Sequence, residues 1–273
     1  MSRIRLEGGL PLRGTVRPPG DKSISHRSLI FNAIATGTAR VEGLLESEDV
    51  HCTANCLRAL GVEIEGGRVR GMGGQFNAPG RHLYCGNSGT TLRLLMGVLA
   101  GQRFEAHLCG DDSLSARPMG RVVEPLKTMG VEFDSDAAHP PIKIRGGTVR
   151  NTEVSSSVAS AQVKTAVMLA GLQGSGTLTF REPSLSRDHT ERMLRAMGVK
   201  FDEHTEPDGT HVIRLDGPQS LRAKDFVVPG DISSAAFFAV AASIAPGSEV
   251  LIQNVGVNPS RTGVLDALFA MGA

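Results

Sequence analysis

Residues 58–64, Arg-Ala-Leu-Gly-Val-Glu-Ile, decide the fold, because the chain returns to this phrase three times. The returns are Lys-Thr-Met-Gly-Val-Glu-Phe at 127–133, Arg-Ala-Met-Gly-Val-Lys-Phe at 195–201 and Phe-Ala-Met-Gly-Ala at 269–273. Each phrase closes a run of apolar residues at helical spacing, and its glycine stands where a helix C-cap belongs. The repetition predicts four equivalent helices, which end at Gly61, Gly130, Gly198 and Gly272.

A second series of four apolar segments runs in step with the first. Each segment opens at a serine suited to N-capping and ends near a glycine, and the opening residues are Ser23, Ser88, Ser160 and Ser233. The segments are apolar nearly all round, which is typical of buried helices. Short β-type runs lie between and behind the helices, with Gly-Gly and Pro-Asp-Gly as hairpin turns. The repeated unit therefore reads β-α-β-α-β-β.

These units predict an α/β fold in which the helices lie inside a ring of sheets. We expect three complete units to form one domain over residues 15–225. Residues 1–14 and 226–273 would then form part of a second domain, entered at both ends of the first. The fourth unit ends without its closing hairpin, so we expect a truncated chain.

The composition excludes two classes of partner. The chain has 29 Lys and Arg residues against 28 Asp and Glu residues, for a formal net charge of +1. No global field therefore points to nucleic acid or to a membrane surface. The sequence has no run of about 18 apolar residues and no apolar signal segment at its start, so we expect a cytoplasmic protein.

The four cysteines predict reduced thiols, because a chain of this size without a secretion signal seldom uses a disulfide framework. Cys52 and Cys56 fall on one helical face beside His51. A structural zinc site needs four ligands at short spacing, and no fourth ligand is near. Cys56 also lies on an apolar stripe, so we expect no metal here.

The first apolar segment opens with a candidate anion site. Lys22 and Ser23 stand at its predicted N-terminus, where free N–H groups and the helix dipole attract anions. Arg27 lies four residues beyond Ser23 on the same face. Lys22 and Ser23 alone fit a capped, solvated helix better than an anion site. The longer motif Pro-Gly-Asp-Lys-Ser-Ile-Ser-His-Arg is more specific and favours a phosphate.

The second unit has polar residues at the corresponding helix start. Asn87, Ser88, Gly89 and Thr90 stand there, and Arg93 follows just inside the helix. A glycine at this point lets a ligand approach the backbone closely.

The third unit offers Ser160, Ala161 and Gln162, with Lys164 next. Hydroxyl and amide groups can orient a sugar-like ring and its phosphate. Judged alone, these residues fit a capped helix with a surface lysine equally well.

Two loops before second helices each contain one arginine, Arg117 and Arg187. Arginine grasps carboxylates and phosphates with two parallel hydrogen bonds. A lone arginine more often forms a surface ion pair. Their corresponding positions in the repeat favour a polyanionic substrate.

Together these motifs resemble the 5-enolpyruvylshikimate-3-phosphate synthase family over the whole chain. The matching segments are PGDKSISHRSLIFNAIATGTARVEGLLESEDV (19–50), GNSGTTLRLLMG (86–97), GDDSLSARPMGRVVEPLKTMG (110–130), ASAQVKTAVMLAGL (159–172), SRDHTERMLRAMGV (186–199) and VPGDISSAAFF (228–238). The resemblance implies the enolpyruvyl transferase fold, an inside-out α/β barrel. It also implies six copies of the unit in the complete enzyme, three in each domain.

The resemblance further implies roles for individual residues. Shikimate 3-phosphate is expected to bind to Lys22, Ser23, Arg27, Ser160, Ala161, Gln162 and Arg187. Phosphoenolpyruvate is expected to bind to Lys22, Gly89, Arg117 and Gln162. The residues with supporting roles are Asp49, Asn87, Arg93 and Asp231.

The implied reaction transfers the enolpyruvyl group of phosphoenolpyruvate to the 5-hydroxyl of shikimate 3-phosphate and releases phosphate. The family uses no metal or organic cofactor, and the complete enzyme is expected to be a monomer inhibited by glyphosate. Its acid and base groups are expected beyond Ala273. The chain alone is therefore expected to turn over negligibly.

Three alternatives stay open. UDP-N-acetylglucosamine enolpyruvyl transferases share the architecture, but they carry a reactive cysteine where this chain has Asp112. RNA 3′-phosphate cyclases share the repeated unit, but this chain has no basic stripe and only 4% aromatic residues. The chain could also bind phosphorylated metabolites without catalysis, or serve as one half of a split enzyme.

Overall fold

The structure, a computed structural model, describes residues 9–134 and 138–273. Residues 1–8, which the sequence assigns to a second domain, lie outside this range. The described helices are α1 (Lys22–Ile34), α2 (Glu48–Ala59), α3 (Gly89–Leu99), α4 (Asp112–Ser115), α5 (Gly120–Thr128), α6 (Ala161–Gly171), α7 (His189–Ala196), α8 (Ile232–Ile244) and α9 (Gly263–Ala270). The described strands are β1 (Arg13–Val16), β2 (Thr38–Glu42), β3 (Glu63–Glu65), β4 (Arg68–Arg70), β5 (Leu83–Tyr84), β6 (Glu105–Cys109), β7 (Glu132–Phe133), β8 (Ile142–Arg145), β9 (Glu153–Ser155), β10 (Gly176–Glu182), β11 (Asp202–Thr205), β12 (His211–Gly217), β13 (Phe226–Val227) and β14 (Glu249–Ile252).

The repeated glycines end their helices as the sequence predicts. All four adopt positive φ, with values of 95° at Gly61, 90° at Gly130, 94° at Gly198 and 89° at Gly272. Glycine takes this left-handed conformation without the clash that a Cβ atom would cause. The predicted helix ends are therefore confirmed.

The serine caps are confirmed in two of the four copies. Ser88 caps α3 and Ser160 caps α6. Each serine side chain accepts a hydrogen bond from the backbone N–H of the residue three positions later. The prediction is wrong for Ser23 and Ser233, because α1 begins at Lys22 and α8 begins at Ile232. Asp231 caps α8 instead, since aspartate is as good a cap as serine and lies one residue before the helix.

Three four-stranded sheets share one strand order. They run β5-β6-β8-β7, β9-β10-β12-β11 and β13-β2-β4-β3. In each sheet the first two strands are parallel and the closing hairpin is antiparallel. Within the described residues the sheets stay separate and do not join into one closed barrel.

The helices that open each unit form the interior, which confirms the predicted α/β fold. Helices α1, α3 and α6 pack on one another and are buried over most of their length. By contrast, α2, α5 and α7 each bury one apolar side, as amphipathic helices do. The apolar segments bury themselves because they have few polar groups that need water.

The chain divides into two compact units. One unit spans Lys22–Val227, and the other combines the described residues up to Asp21 with Val228–Ala273. These boundaries differ by a few residues from the predicted 15 and 225. Strand β1 pairs with β14 in the compact unit that contains Val228–Ala273. Strand β13 pairs with β2 in the compact unit Lys22–Val227. Local sequence does not specify how these short strands pair. Their backbone pairing sets the boundaries between the two compact units.

Three further findings bear on the predictions. The loop before α5 contains the one-turn helix α4, because Asp111 accepts a hydrogen bond from the Leu114 backbone and caps it. All four cysteines are free thiols. Among the described residues, no helix has the length and apolar character needed to cross a membrane.

Candidate functional site

The start of α3 brings two guanidinium groups beside Gly89. A Cβ atom on residue 89 would lie 2.8 Å from Nη1 of Arg93 and 3.5 Å from Nη1 of Arg117. The first amides of a helix have no intrahelical acceptor and carry the positive end of its dipole. This point therefore combines backbone donors with two positive side chains.

Gln162 connects the start of α6 to the start of α3. Its Oε1 accepts a hydrogen bond of 2.9 Å from Nη1 of Arg93. Its Nε2 donates a bond of 2.9 Å to Oγ1 of Thr90. Ser160 caps α6 just before this residue. The structure thus brings together the predicted residues of the second and third units.

Asn87 fixes the position of Arg117. Its Oδ1 accepts a short hydrogen bond from Nη2 of Arg117, and its Nδ2 donates to Oδ2 of Asp111 at 2.9 Å. Asp111 also caps the one-turn helix α4. The chain of contacts Asp111–Asn87–Arg117 holds the guanidinium in one orientation.

Like charges surround Arg93. Burial lowers the pKa of its guanidinium below the usual range, and the positive charges of Arg117 and Arg121 lower it further. Arg121 lies in the first turn of α5, and sequence reasoning missed it. Its position four residues after Arg117 is the signal that could have found it. Three positive groups in one neighbourhood favour an anionic ligand, which would offset their repulsion.

Lys22 and Asp49 form the edge of the site on the first β-α-β-α-β-β repeat. Nζ of Lys22 lies 3.0 Å from Oδ2 of Asp49, and the lysine side chain is half exposed. The backbone oxygen of Asp49 also accepts a hydrogen bond of 3.3 Å from Thr91. Asp49 therefore connects Lys22 with the first turn of α3.

Arg27 is almost fully buried, with 2% of its surface exposed. It donates hydrogen bonds of 2.8 Å to the hydroxyls of Thr165 and Thr190. It also donates to the backbone oxygens of Ser23 at 3.1 Å and Ala161 at 3.3 Å. The guanidinium therefore links the first turns of α1 and α6, and it also bonds to Thr190 of α7.

Lys164 is wholly buried, so the alternative of a surface lysine is wrong. Its Nζ lies 2.8 Å from Oε1 of Glu182 and 2.6 Å from Oε1 of Glu191. Glu182 also accepts hydrogen bonds from the backbone and hydroxyl of Ser186. This clamp fixes the loop that leads into the exposed Arg187.

Asp231 lies in the other compact unit. It caps α8 by accepting a hydrogen bond of 2.8 Å from the Ser233 backbone. Arg261 also contacts its carboxylate at 3.4 Å. Its observed role belongs to its own unit.

Comparisons with known proteins place the chain among described relatives. The sequence profile of one family, described as EPSP synthase (3-phosphoshikimate 1-carboxyvinyltransferase), matches residues 6–273. A 3-phosphoshikimate 1-carboxyvinyltransferase of Brevibacillus brevis is 48% identical, over 98% of this chain and 64% of the relative. Its counterpart in Synechocystis is 51% identical, over 97% of this chain and 61% of the relative.

A solved EPSP synthase structure from Acinetobacter baumannii has the same fold. Its TM-score to this chain is 0.88 with 45% sequence identity, over 98% of this chain and 61% of that structure. The chain thus spans somewhat less than two thirds of the length of the relatives that it matches.

Proposed function

We propose that this chain, which belongs to the EPSP synthase family, provides substrate-binding groups for enolpyruvyl transfer. The acceptor is the 5-hydroxyl of shikimate 3-phosphate, and the donor is phosphoenolpyruvate. The acceptor hydroxyl loses its proton and its oxygen bonds to the enolpyruvyl carbon. The carbon–oxygen bond to phosphate breaks, and phosphate leaves carrying a proton in the overall balance. The observation that carries the proposal is the pair of guanidinium groups at the start of α3.

The charges of the substrates match this pair. The two substrates together bring two phosphates and two carboxylates, so preorganised positive groups must offset their repulsion. For phosphoenolpyruvate we propose Lys22, Gly89, Arg117 and Gln162 as the binding groups. Arg93 supports them, because it holds Gln162 by a hydrogen bond of 2.9 Å.

For shikimate 3-phosphate we propose the starts of α1 and α6, together with Arg187. Ser23 and Ala161 lie in one neighbourhood because Arg27 donates hydrogen bonds to both backbones. Ser160 and Gln162 extend the same helix start. The Lys164–Glu182 clamp supports the loop of Arg187, so the position of that arginine is preset before a ligand arrives.

Titration of the chain with each substrate tests the proposal. We expect calorimetry to detect binding of phosphoenolpyruvate and shikimate 3-phosphate, with negligible turnover by the chain alone. Adding a polypeptide that corresponds to the remaining part of the Brevibacillus brevis relative should restore activity. Binding without restored activity would indicate a binding module, and no binding of either substrate would overturn the proposal.

A matched pair of variants makes the test specific. Arg117→Gln should weaken phosphoenolpyruvate binding by roughly 10- to 100-fold, since a charged hydrogen bond contributes about 1.5–3 kcal/mol. Arg70→Gln is the control, because Arg70 forms an exposed pair with Glu63 at 3.3 Å. Equal affinities of the two variants would contradict the assignment of Arg117.

We also propose a cytoplasmic location. The free state of all four cysteines supports a reducing compartment.

A further inference from the structure

A second cluster of ionisable groups lies where α7 meets the hairpin β11–β12. Glu191, Glu203 and His211 each place one ligand atom within 4.8 Å of the other two. Among the described residues this is the one group of His, Cys, Asp and Glu side chains close enough to hold a metal ion. No local sequence pattern predicts this cluster, because the three residues come from three separate elements.

The inner atoms of this cluster lack ordinary partners. His211 is 4% exposed, and its Nε2 forms no hydrogen bond in the described part of the chain. The same holds for Oε2 of Glu191, whose side chain is 1% exposed. A buried polar atom without a partner costs free energy, so such atoms usually contact a ligand or an ion.

Other atoms of the same side chains, by contrast, contact cations or a hydroxyl. Nζ of Lys164 lies 2.6 Å from Oε1 of Glu191, and Arg195 donates a hydrogen bond of 2.6 Å to Oε1 of Glu203. Nδ1 of His211 lies 3.4 Å from Oγ1 of Thr205. Groups that bind metals are commonly oriented by such partners on their outer side.

Cationic side chains already contact the carboxylates of this neighbourhood. Lys164 lies 2.8 Å from Glu182 and 2.6 Å from Glu191, and Arg195 lies 2.6 Å from Glu203. Three carboxylates against two cations leave one formal negative charge, which attracts a further cation.

We propose that Glu191, Glu203 and His211 bind one divalent transition-metal ion, for which zinc is the best fit. Zinc accepts nitrogen and carboxylate ligands at about 2.0–2.2 Å. Three atoms within 4.8 Å of one another have a common centre at most about 2.8 Å from each. Side-chain shifts of less than about 1 Å would therefore close the site.

The ion would cross-link α7 to its hairpin. Nε2 of His211 already lies 3.6 Å from Oε2 of Glu203, and this contact joins strands β12 and β11. Glu203 is 28% exposed, so solvent gives the ion a path to the cluster. Three protein ligands leave the fourth position of the ion to water, and binding does not depend on the reaction proposed above.

Cobalt and zinc binding to the complete 273-residue chain tests the site. We expect cobalt to give the visible spectrum of an oxygen–nitrogen site, and one zinc ion to displace it. His211→Ala should weaken binding about 100-fold or more, since even outer-side partners contribute 10- to 100-fold. His204→Ala is the matched control, because His204 lies on β11 with 54% of its side chain exposed.

Several outcomes would overturn the proposal. A thiolate-to-cobalt charge-transfer band would place the metal on cysteines. Equal affinity of His211→Ala and His204→Ala would exclude His211 as a ligand. The absence of binding by the unaltered chain would mean that water or a proton satisfies the cluster. If His211→Ala fails to fold by circular dichroism, Glu203→Gln provides the same comparison, with loss of binding expected.

Discussion

Gly89 lies at a point where a side chain would press on the Arg93 guanidinium. A Cβ atom would lie 2.8 Å from Nη1 of Arg93, which would have to shift, and at the ordinary contact distance of 3.5 Å from Nη1 of Arg117. The backbone of Gly89 does not need positive φ, so the constraint here is space and not conformation. A methyl group at this residue would therefore change the position of Arg93 in the anion site.

Gly89→Ala should weaken phosphoenolpyruvate binding by roughly tenfold, which is about 1.4 kcal/mol. The new methyl group would push Arg93 away from Gln162 and disturb the preset donors. In the complete enzyme we expect glyphosate inhibition to weaken as well. Calorimetric titration measures the first effect and inhibition assays the second.

Gly120→Ala is the control for this change, because no atom lies within 4 Å of a Cβ at that position. Its affinity for phosphoenolpyruvate should match that of the unaltered chain. If Gly89→Ala binds as tightly as Gly120→Ala, steric control by Gly89 is wrong.

Lys164 is the residue whose environment departs most from its sequence interpretation. Lys164→Met would leave Glu182 and Glu191 buried without a positive partner. We expect the free energy of unfolding to fall by about 3–5 kcal/mol, as measured for other broken buried pairs. Urea unfolding followed by circular dichroism measures the loss.

A surface pair provides the comparison for Lys164. Lys127 lies 3.0 Å from Glu124, and both side chains are largely exposed. Lys127→Met should cost less than about 1 kcal/mol, because solvent screens exposed pairs. Similar losses for the two variants would mean that the buried cluster contributes no more than a surface ion pair.

At the scale of helices, a buried chain of hydrogen bonds joins α1, α2 and the cap of α3. His26 contacts Thr53 at 2.7 Å, Thr53 contacts Thr91 at 2.6 Å, and Thr91 donates to Ser88 at 2.7 Å. Ser88 is the residue that caps α3 beside Gly89. The helix starts thus keep fixed relative positions through polar contacts, in addition to apolar packing.

The chain of contacts predicts a pH dependence of stability. Burial lowers the pKa of His26 from 6.5 to about 3; Arg27 and Lys22 lower it too, whereas Asp49 opposes the shift. The unfolded chain binds this proton below about pH 6.5, whereas the folded chain does not until about pH 3. Stability is therefore complete above pH 6.5 and is lost on acidification, by roughly 4–5 kcal/mol in total.

His26→Gln isolates this contribution, because glutamine keeps polar groups near Thr53 and does not titrate. Between pH 6 and 4 its unfolding free energy should change less steeply, by about 1.4 kcal/mol per pH unit. Urea unfolding at several pH values gives the slope. His51→Gln, at a side chain 62% exposed, should keep the slope of the unaltered chain. A slope unchanged in His26→Gln would refute the assignment.

At the scale of the whole molecule, the sheet of β2, β4 and β3 takes its fourth strand from the C-terminal end of the compact unit Lys22–Val227. Strand β13 pairs in parallel with β2, at the edge that β5 and β9 occupy in the other two sheets. The three sheets therefore have equivalent orders, although one of them joins residues far apart in sequence. This closure holds the two ends of the unit together.

The other unit exposes apolar side chains along α8. Phe237 is 79% exposed and Ile244 is 75% exposed. Exposed apolar side chains of this kind offer a surface to hydrophobic probes. The chain as it stands should therefore bind a hydrophobic dye.

Phe237→Ser combined with Ile244→Ser should reduce dye fluorescence, while unfolding free energy changes by no more than about 0.5 kcal/mol per substitution. Leu185→Ser is the control, because Leu185 is 49% exposed and lies in the other compact unit, Lys22–Val227. A fluorescence decrease of the same size in Leu185→Ser would argue against α8 as the dye-binding surface.

The sequence by itself determined the features that depend on residues a few positions apart. Glycine C-caps, apolar helix segments and hairpin turns need only local conformation, so the repeated unit could be predicted. The starts of α3 and α6 followed from the Ser88 and Ser160 caps. Membership of a family added roles for individual residues that no local pattern supplies.

Only the tertiary structure decided which side chains are buried and which charges meet. Arg27 bonds to Thr190 across 163 positions, and Lys164 lies between two glutamates that are remote in sequence. His211, Glu203 and Glu191 meet because α7 packs against a hairpin. Burial and charge pairing depend on how distant segments pack together, and packing is a property of the whole fold.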